Sequence, residues 1–165
     1  MLRKAVIMLG ASLTLAFGAF AVGTVPSGAE SGSHCSFQHT PNLNPGVSYN
    51  QTSGTFTDPG GGTVKCSGAV NGSGDYTDSG TYTNATCQNG GTAEGDPTFT
   101  IGGQTFTDHV HITFGKEPPH FPNGLVRATF EGSKVKGTID LMPTHGDCMD
   151  SPVTQIHGAG EFDMN

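Results

Sequence analysis

The stretch that decides the fold is residues 104–115, with the sequence QTFTDHVHITFG. Apolar side chains alternate with polar ones over ten positions, and β-branched and aromatic residues are frequent. This period of two is typical of a β-strand that buries one of its faces. The inward positions are Phe106, Asp108, Val110, Ile112 and Phe114. The outward positions include His109 and His111, so we predict one long strand with an apolar face and a histidine-bearing face.

Similar short alternating stretches follow one another along the chain, separated by Gly, Pro, Asn and Asp. The clearest pair is 125–131 and 134–142, which a two-residue Gly132-Ser133 turn would join with Phe130 opposite Val135. The 26 glycines and 10 prolines do not favour helices. We therefore predict an all-β fold, a single antiparallel β-barrel of about eight strands, with a two-sheet β-sandwich as the alternative.

The N-terminal residues have the pattern of a secretory signal peptide. Arg3 and Lys4 precede an uncharged apolar run, and small residues end at Ala29, where we place the cleavage site. Cleavage after Ala21 and an uncleaved membrane anchor are the alternatives. We predict a signal peptide at 1–29, an irregular N-terminal arm at 30–45 and the β-barrel domain at 46–165. The mature protein is then expected to be secreted, with no membrane association.

The charge of the mature chain excludes one class of partner. Without Arg3 and Lys4, five of the seven basic residues remain against 14 acidic ones, a net charge of about −9. Such a chain repels phosphate backbones and anionic membrane surfaces. We therefore expect no nucleic-acid partner, and an unidentified ligand or surface partner instead.

The four cysteines, an even number in a chain predicted to be exported, indicate two disulfides. Three pairings are possible, and we favour Cys35–Cys66 with Cys87–Cys148. The first bond would fix the N-terminal arm. The second would close a loop of about sixty residues, which stabilises the fold by up to about 4 kcal/mol. A catalytic thiol is the alternative that the even number disfavours.

Several short motifs carry a resemblance to a known group of proteins. They are Gly61–Gly68 (GGTVKCSG), Gly146-Asp147-Cys148 and Ser151–Thr154 (SPVT). With them, most of the mature chain resembles small secreted all-β proteins of high-GC Gram-positive bacteria that have no assigned function. The resemblance implies a bacterial source and export, and it implies no particular activity.

The two histidines of the long strand could be ligands of one metal ion, and zinc or copper would suit their nitrogen atoms. A third ligand must come from elsewhere in the chain, and His157 is the best placed because it also faces outward from its own strand. The predicted metal site is therefore His109, His111 and His157. The alternative is that these histidines only face solvent, with no cofactor bound.

Asp108 is the second candidate, because it is a carboxylate at an inward position. A buried carboxylate must be hydrogen-bonded or its pKa rises. Asp108 could be an acid in a barrel cavity, or it could accept backbone hydrogen bonds near the barrel mouth; the second interpretation is favoured.

No nucleophile elbow, zinc-protease helix or phosphate-binding loop is present in the sequence. We therefore predict a secreted, disulfide-stabilised β-domain that is a non-enzymatic binding or cell-surface interaction module. A histidine-based zinc or copper protein is the first alternative, and a small barrel enzyme that uses Asp108 is the second.

Overall fold

The computed structural model describes residues 32–87, 90–115 and 126–165. Within these ranges the chain forms thirteen strands. They are β1 Ser33–His39, β2 Asn42–Val47, β3 Thr52–Thr57, β4 Gly62–Gly68, β5 Gly72–Thr77, β6 Ser79–Thr86, β7 Gly90–Gly95, β8 Thr98–Ile101, β9 Gln104–Thr107, β10 Val110–Phe114, β11 Val126–Gly132, β12 Val135–His145 and β13 Val153–Met164. The all-β prediction is confirmed, and no helix long and apolar enough to cross a membrane occurs in the described ranges.

Eight antiparallel strands form a closed barrel, in the order β2, β3, β6, β7, β10, β11, β12 and β13. The pairings of β13 with β12 and with β2 close the ring. The chain runs up and down around the barrel and leaves it twice, once for β4 and β5 and once for β8 and β9. The predicted eight-stranded barrel is therefore confirmed, and the sandwich alternative is not.

The other five strands extend the sheet at one end of the barrel. The C-terminal half of β13 pairs with β1, and β4, β5, β8 and β9 follow β1 in that order. We call this extension, β1-β4-β5-β8-β9, the lower sheet. Strands β12 and β13 are the longest, with 11 and 12 residues, and β13 pairs with strands of both the barrel and the lower sheet.

The chain passes between the lower sheet and the barrel at five places, which we call the junction row: residues 40–41, 58–61, 78, 96–97 and 108–109. Backbone hydrogen bonds join neighbouring junctions. The N–H of Asp58 donates to the carbonyl of Asp78 at 3.1 Å, and the N–H of Asp96 donates to the carbonyl of Ser79 at 2.9 Å. The N–H of Asp108 donates to the carbonyl of Pro97 at 3.3 Å. The junctions therefore lie side by side.

Inward side chains form two hydrophobic clusters. The larger one includes Phe37, Phe99 and Phe162, and the ring centroids of Phe99 and Phe162 are 4.7 Å apart. The smaller one consists of residues in the upper barrel, namely Phe56, Tyr82, Ala85 and Ala93. Both clusters alternate with exposed polar residues along their strands, as half-buried strands require.

The N-terminal arm predicted at 30–45 is wrong in one respect, because its described residues are not irregular. Ser33–His39 forms β1, whose side chains alternate strictly between buried and exposed, and Asn42–Val47 forms β2. The prolines lie at Pro41, between the two strands, and at Pro45, beyond the β2–β3 register, so the pairing of β1 is continuous. The predicted signal peptide at 1–29 lies outside the described residues.

Residues 104–115 also differ from the prediction of one long strand. β9 pairs with β8 in the lower sheet, whereas β10 pairs with β7 and β11 in the barrel. The predicted facing is nevertheless confirmed, because Val110 is buried and His109 and His111 are exposed. The strand is interrupted at Asp108 because this residue turns its carboxylate to the β11–β12 connection.

The register of the β11–β12 hairpin is shifted by two residues from the predicted one. Phe130 pairs with Gly137 instead of Val135, and Glu131 pairs with Lys136. A shift of two residues keeps every side chain on its predicted face. The two residues that connect the strands are therefore Ser133 and Lys134 instead of Gly132 and Ser133, and their backbone N–H groups bind Asp108.

Both predicted disulfides are present, Cys35–Cys66 and Cys87–Cys148. Cys35 and Cys66 are directly opposite each other on β1 and β4. Cys87 follows β6, and Cys148 lies in the connection between β12 and β13, so the second bond spans the upper end of the barrel. The protein is a disulfide-stabilised β-domain.

Candidate functional site

A cavity of about 140 Å³ lies inside the barrel between the two hydrophobic clusters. Its upper end is near the Cys87–Cys148 disulfide, where the lining residues Val47, Phe114 and Val126 are half-buried. Its lower end is at the junction row, where His39, Tyr76 and Asp78 are part of the lining. The remaining lining is almost entirely apolar, so the cavity has one apolar end and one polar end.

His39 and Asp58 form a buried pair beside the polar end. The His39 side chain is 4% exposed and that of Asp58 is 0% exposed, and their nearest atoms, Nδ1 and Oδ2, are 3.5 Å apart. Within the described residues, neither nitrogen of His39 has a hydrogen-bond partner, and the backbone N–H of Thr40 is the donor that faces the Asp58 carboxylate. Buried polar atoms are nearly always hydrogen-bonded, so this pair is unusual.

Tyr76 on β5 and Asp78, which follows that strand, lie next to this pair and both face inward. The Tyr76 hydroxyl donates to Oδ2 of Asp78 at 3.1 Å, whereas Oδ1 of Asp78 has no hydrogen-bond partner in the described ranges. The Tyr76 ring contacts His39 edge-on at a centroid distance of 4.9 Å. We call His39, Asp58, Tyr76 and Asp78 the polar cluster.

Burial determines the protonation of the polar cluster. It raises the pKa of Asp78 to about 7, although the Tyr76 hydroxyl and nearby backbone N–H groups favour the carboxylate. It also raises the pKa of Asp58, which the Thr40 N–H opposes. Burial lowers the pKa of His39 to about 4, and the neighbouring His157 lowers it further. At neutral pH the imidazole is therefore uncharged and supplies no counter-charge to the acids.

The sequence places these groups by a short pattern that recurs at the junction row. An aromatic residue, threonine and aspartate occur in succession at 56–58, 76–78 and 106–108. In each case a strand ends at the threonine, so the aspartate shares the inward face of the aromatic residue and lies at the junction. Phe37 and His39 have the same spacing at the end of β1. This pattern in the sequence indicates that these polar side chains face inward at strand ends, although it does not show that they meet.

Two glycines make room for the cluster. A Cβ atom on Gly158, which is paired with His39 across β13 and β1, would lie 2.8 Å from Nε2 and Cδ2 of the imidazole. A Cβ atom on Gly95 would lie 3.0 Å from Oδ1 of Asp78. Any larger residue at position 158 would displace the His39 imidazole ring, and the residues packed around that ring leave it little space to move.

His109 and His111, the first two residues of the predicted metal site, lie on the outer surface of the barrel. Glu94 of β7 contacts both histidines: its Oε1 is 2.6 Å from Nδ1 of His111 and its Oε2 is 3.3 Å from Nε2 of His109. Asp96 binds Nδ1 of His109 at 2.7 Å, and this hydrogen bond raises the pKa of His109. The acidic partners Glu94 and Asp96 had not been predicted.

His157 lies on β13, opposite Met142 and beside Thr40, whose hydroxyl is 3.4 Å from its Nδ1. Strands β11 and β12 separate it from His109 and His111 on β10, so the structure does not bring the three histidines together. Among the described residues, no group of three or more His, Cys, Asp or Glu side chains has the geometry to hold a metal ion. Zinc or copper binding by these histidines stays a prediction.

Asp108 has the favoured one of its two predicted roles, that of a carboxylate that accepts backbone hydrogen bonds. Partial burial opposes ionisation, but the backbone N–H groups of Lys134, His109 and Val135 and the Ser133 hydroxyl lower its pKa to about 2. The shortest of these hydrogen bonds, from the Lys134 N–H and the Ser133 hydroxyl, are 2.7 Å long. Asp108 does not line the cavity. The barrel-enzyme alternative built on Asp108 therefore has no geometric support.

No protein-family model, curated protein or solved structure matches this chain. What the site can do chemically must therefore be inferred from its geometry. An apolar cavity with a few convergent polar groups and perturbed pKa values is the usual form of a small-molecule site.

Proposed function

We propose that this protein binds a small, largely apolar molecule inside its barrel. The observation that carries the proposal is the cavity of about 140 Å³ between the two hydrophobic clusters. An apolar cavity of about 150 Å³ takes up benzene, so the expected ligand has the size of one aromatic ring with a short substituent. A molecule of this size would contact both clusters at once.

We also propose that the protein is located outside the cell. Its two disulfides support an oxidising compartment, as the signal-peptide pattern and the resemblance to secreted proteins also imply. Its acidic charge supports small molecules or proteins as partners rather than nucleic acid.

The test is the binding of benzene and toluene to the purified protein with its disulfides intact. A ligand that binds only the native state raises the melting temperature in a concentration-dependent way. We expect this increase for the natural protein. We expect its loss in Ala93→Leu, because Ala93 is buried in the cavity lining and the larger side chain would occupy the space.

The matched control is Ala159→Leu, because Ala159 is also on a strand but is exposed on the outer surface. It adds the same side chain and should leave the response to toluene unchanged. No response of the natural protein, or an equal response in Ala93→Leu, would contradict the proposal.

A further inference from the structure

The cavity contains a carboxylate oxygen that accepts no hydrogen bond from the described residues. Asp78 is 7% exposed and lines the polar end of the cavity, and its Oδ1 has no partner among the described residues. Behind it, the fully buried carboxylate of Asp58 faces the Thr40 N–H and no other described hydrogen-bond donor. Leaving such groups unpaired in an apolar environment is costly, so the site favours a ligand that donates to them.

Among the described residues, no lysine or arginine faces these acids, and none lines the cavity. Arg127 pairs with Asp140, Lys136 pairs with Glu131, and Lys134 binds the Thr107 carbonyl, all on the surface. Lys65, the fourth basic residue of the described ranges, is exposed on β4. His39, the remaining candidate, is neutral because burial holds its pKa at about 4. A buried carboxylate is stable in its ionised form only with a positive partner.

The walls around the unpaired acceptor suit a positive charge. Phe37 and Tyr76 pack at a centroid distance of 4.8 Å, and the Tyr82 and Phe56 rings line the cavity above them. Aromatic rings attract cations through their negative faces. The net charge of −7 for the whole chain also raises the local concentration of cations.

We propose that the ligand is a primary amine on a small apolar body, such as an arylalkylamine, with its ammonium group bound to Asp78. This inference rests on the proposed function, because it names the chemical class of the ligand of the same cavity. The ammonium donates to Oδ1 of Asp78, and the apolar body extends toward the Cys87–Cys148 end. About eight non-hydrogen atoms fit a cavity of this size.

The binding should depend on pH because Asp78 must be ionised. The titratable groups that face Asp78 are Tyr76 on its own strand, Asp58 and Asp96 at the neighbouring junctions, and His39 across the cluster. Tyr76 and His39 are neutral between pH 6 and 8, since burial lowers the pKa of His39 to about 4 and raises the pKa of Tyr76 further above its usual value. The affinity for an amine should therefore increase from pH 6 to pH 8, while the affinity for toluene stays constant.

The experiment is isothermal titration calorimetry at pH 8 with benzylamine, benzyl alcohol and toluene as probes. The first two have nearly the same shape and differ in charge. We expect benzylamine to bind at least tenfold more tightly than benzyl alcohol. In Asp78→Asn this preference should disappear while toluene binding is kept, which also verifies that the variant is folded. Asp75→Asn removes the same charge from the exposed face of β5 and should keep the preference.

The possible failures are distinguishable. If none of the three probes binds, the proposed function itself is wrong and this inference falls with it. If toluene binds and benzylamine binds no better than benzyl alcohol, only the assignment of an amine is overturned. The same holds if Asp78→Asn keeps the preference. Should Asp78→Asn fail to fold, a benzylamine affinity of the natural protein that is flat from pH 6 to 8 would overturn the assignment.

Discussion

Burial acts on His39 and Asp78 with opposite consequences for stability. The pKa of Asp78 is about 7 in the folded protein against about 3.9 when exposed, so the folded state holds this proton more tightly. The free energy of unfolding that this tighter proton binding contributes is fully present below about pH 4 and is lost as the pH rises to 7. The pKa of His39 is about 4 against about 6.5, so the unfolded state binds that proton more tightly. The folded state therefore loses stability as the pH falls from about 6.5 to 4.

The two effects should oppose each other between about pH 4 and 6.5, and substitution should separate them. Relative to the natural protein, Asp78→Asn should gain unfolding free energy as the pH rises from 4 to 7. His39→Gln should gain it as the pH falls from 6.5 to 4. Each change is at most about 1.4 kcal/mol per pH unit. Urea denaturation at several pH values measures both. Curves parallel to that of the natural protein would show that burial does not shift these pKa values.

At the scale of strands, the register of one hairpin depends on a side chain from another strand. The β11–β12 connection gives its Ser133, Lys134 and Val135 N–H groups to Asp108. The alternation at 104–115 and at 126–131 predicts which side chains face inward. It cannot predict the interruption at Asp108, because the donors lie more than twenty residues further along the chain.

The polar cluster was missed for the same physical reason. The inward facing of His39, Asp58 and Asp78 can be deduced from the aromatic residue two positions before each of them. The convergence of these three side chains cannot be deduced in this way, because it depends on how the chain leaves the barrel for the lower sheet and returns. Disulfide pairing was predictable in contrast, since four cysteines allow only three arrangements.

We expect Asp108→Ala to destabilise the protein by about 2–3 kcal/mol, because it leaves several backbone N–H groups without their charged acceptor. The amide hydrogens of Lys134 and Val135 should then exchange faster with solvent. The contribution of Asp108 should be complete above about pH 4 and lost as the pH falls to about 2, since its pKa is lowered.

Asp140→Ala is the control for this substitution, because Asp140 forms only an exposed ion pair with Arg127. Its effect should be below about 1 kcal/mol. Equal effects of the two substitutions would mean that Asp108 does not organise the hairpin.

For the whole molecule, β13 pairs with strands of both the barrel and the lower sheet, so we expect the two sheets to unfold as one cooperative unit. Replacing Cys87 and Cys148 by alanine should lower the unfolding free energy by about 4 kcal/mol, because the bond closes a loop of 61 residues. Hydrogen exchange should then accelerate in both sheets, although the bond lies at the upper end of the barrel. Unchanged protection of β1, β4 and β5 would show instead that the lower sheet is stable by itself.

The position of β13 in the chain has a consequence for biosynthesis. β1 and β2 are the first described strands, and both pair with β13, which the ribosome makes after all the others. Neither sheet can be completed until residue 164 has emerged, and contacts between such distant segments form slowly. Until then, the nascent polypeptide lacks the β13 pairings that close the barrel and that join the barrel to the lower sheet.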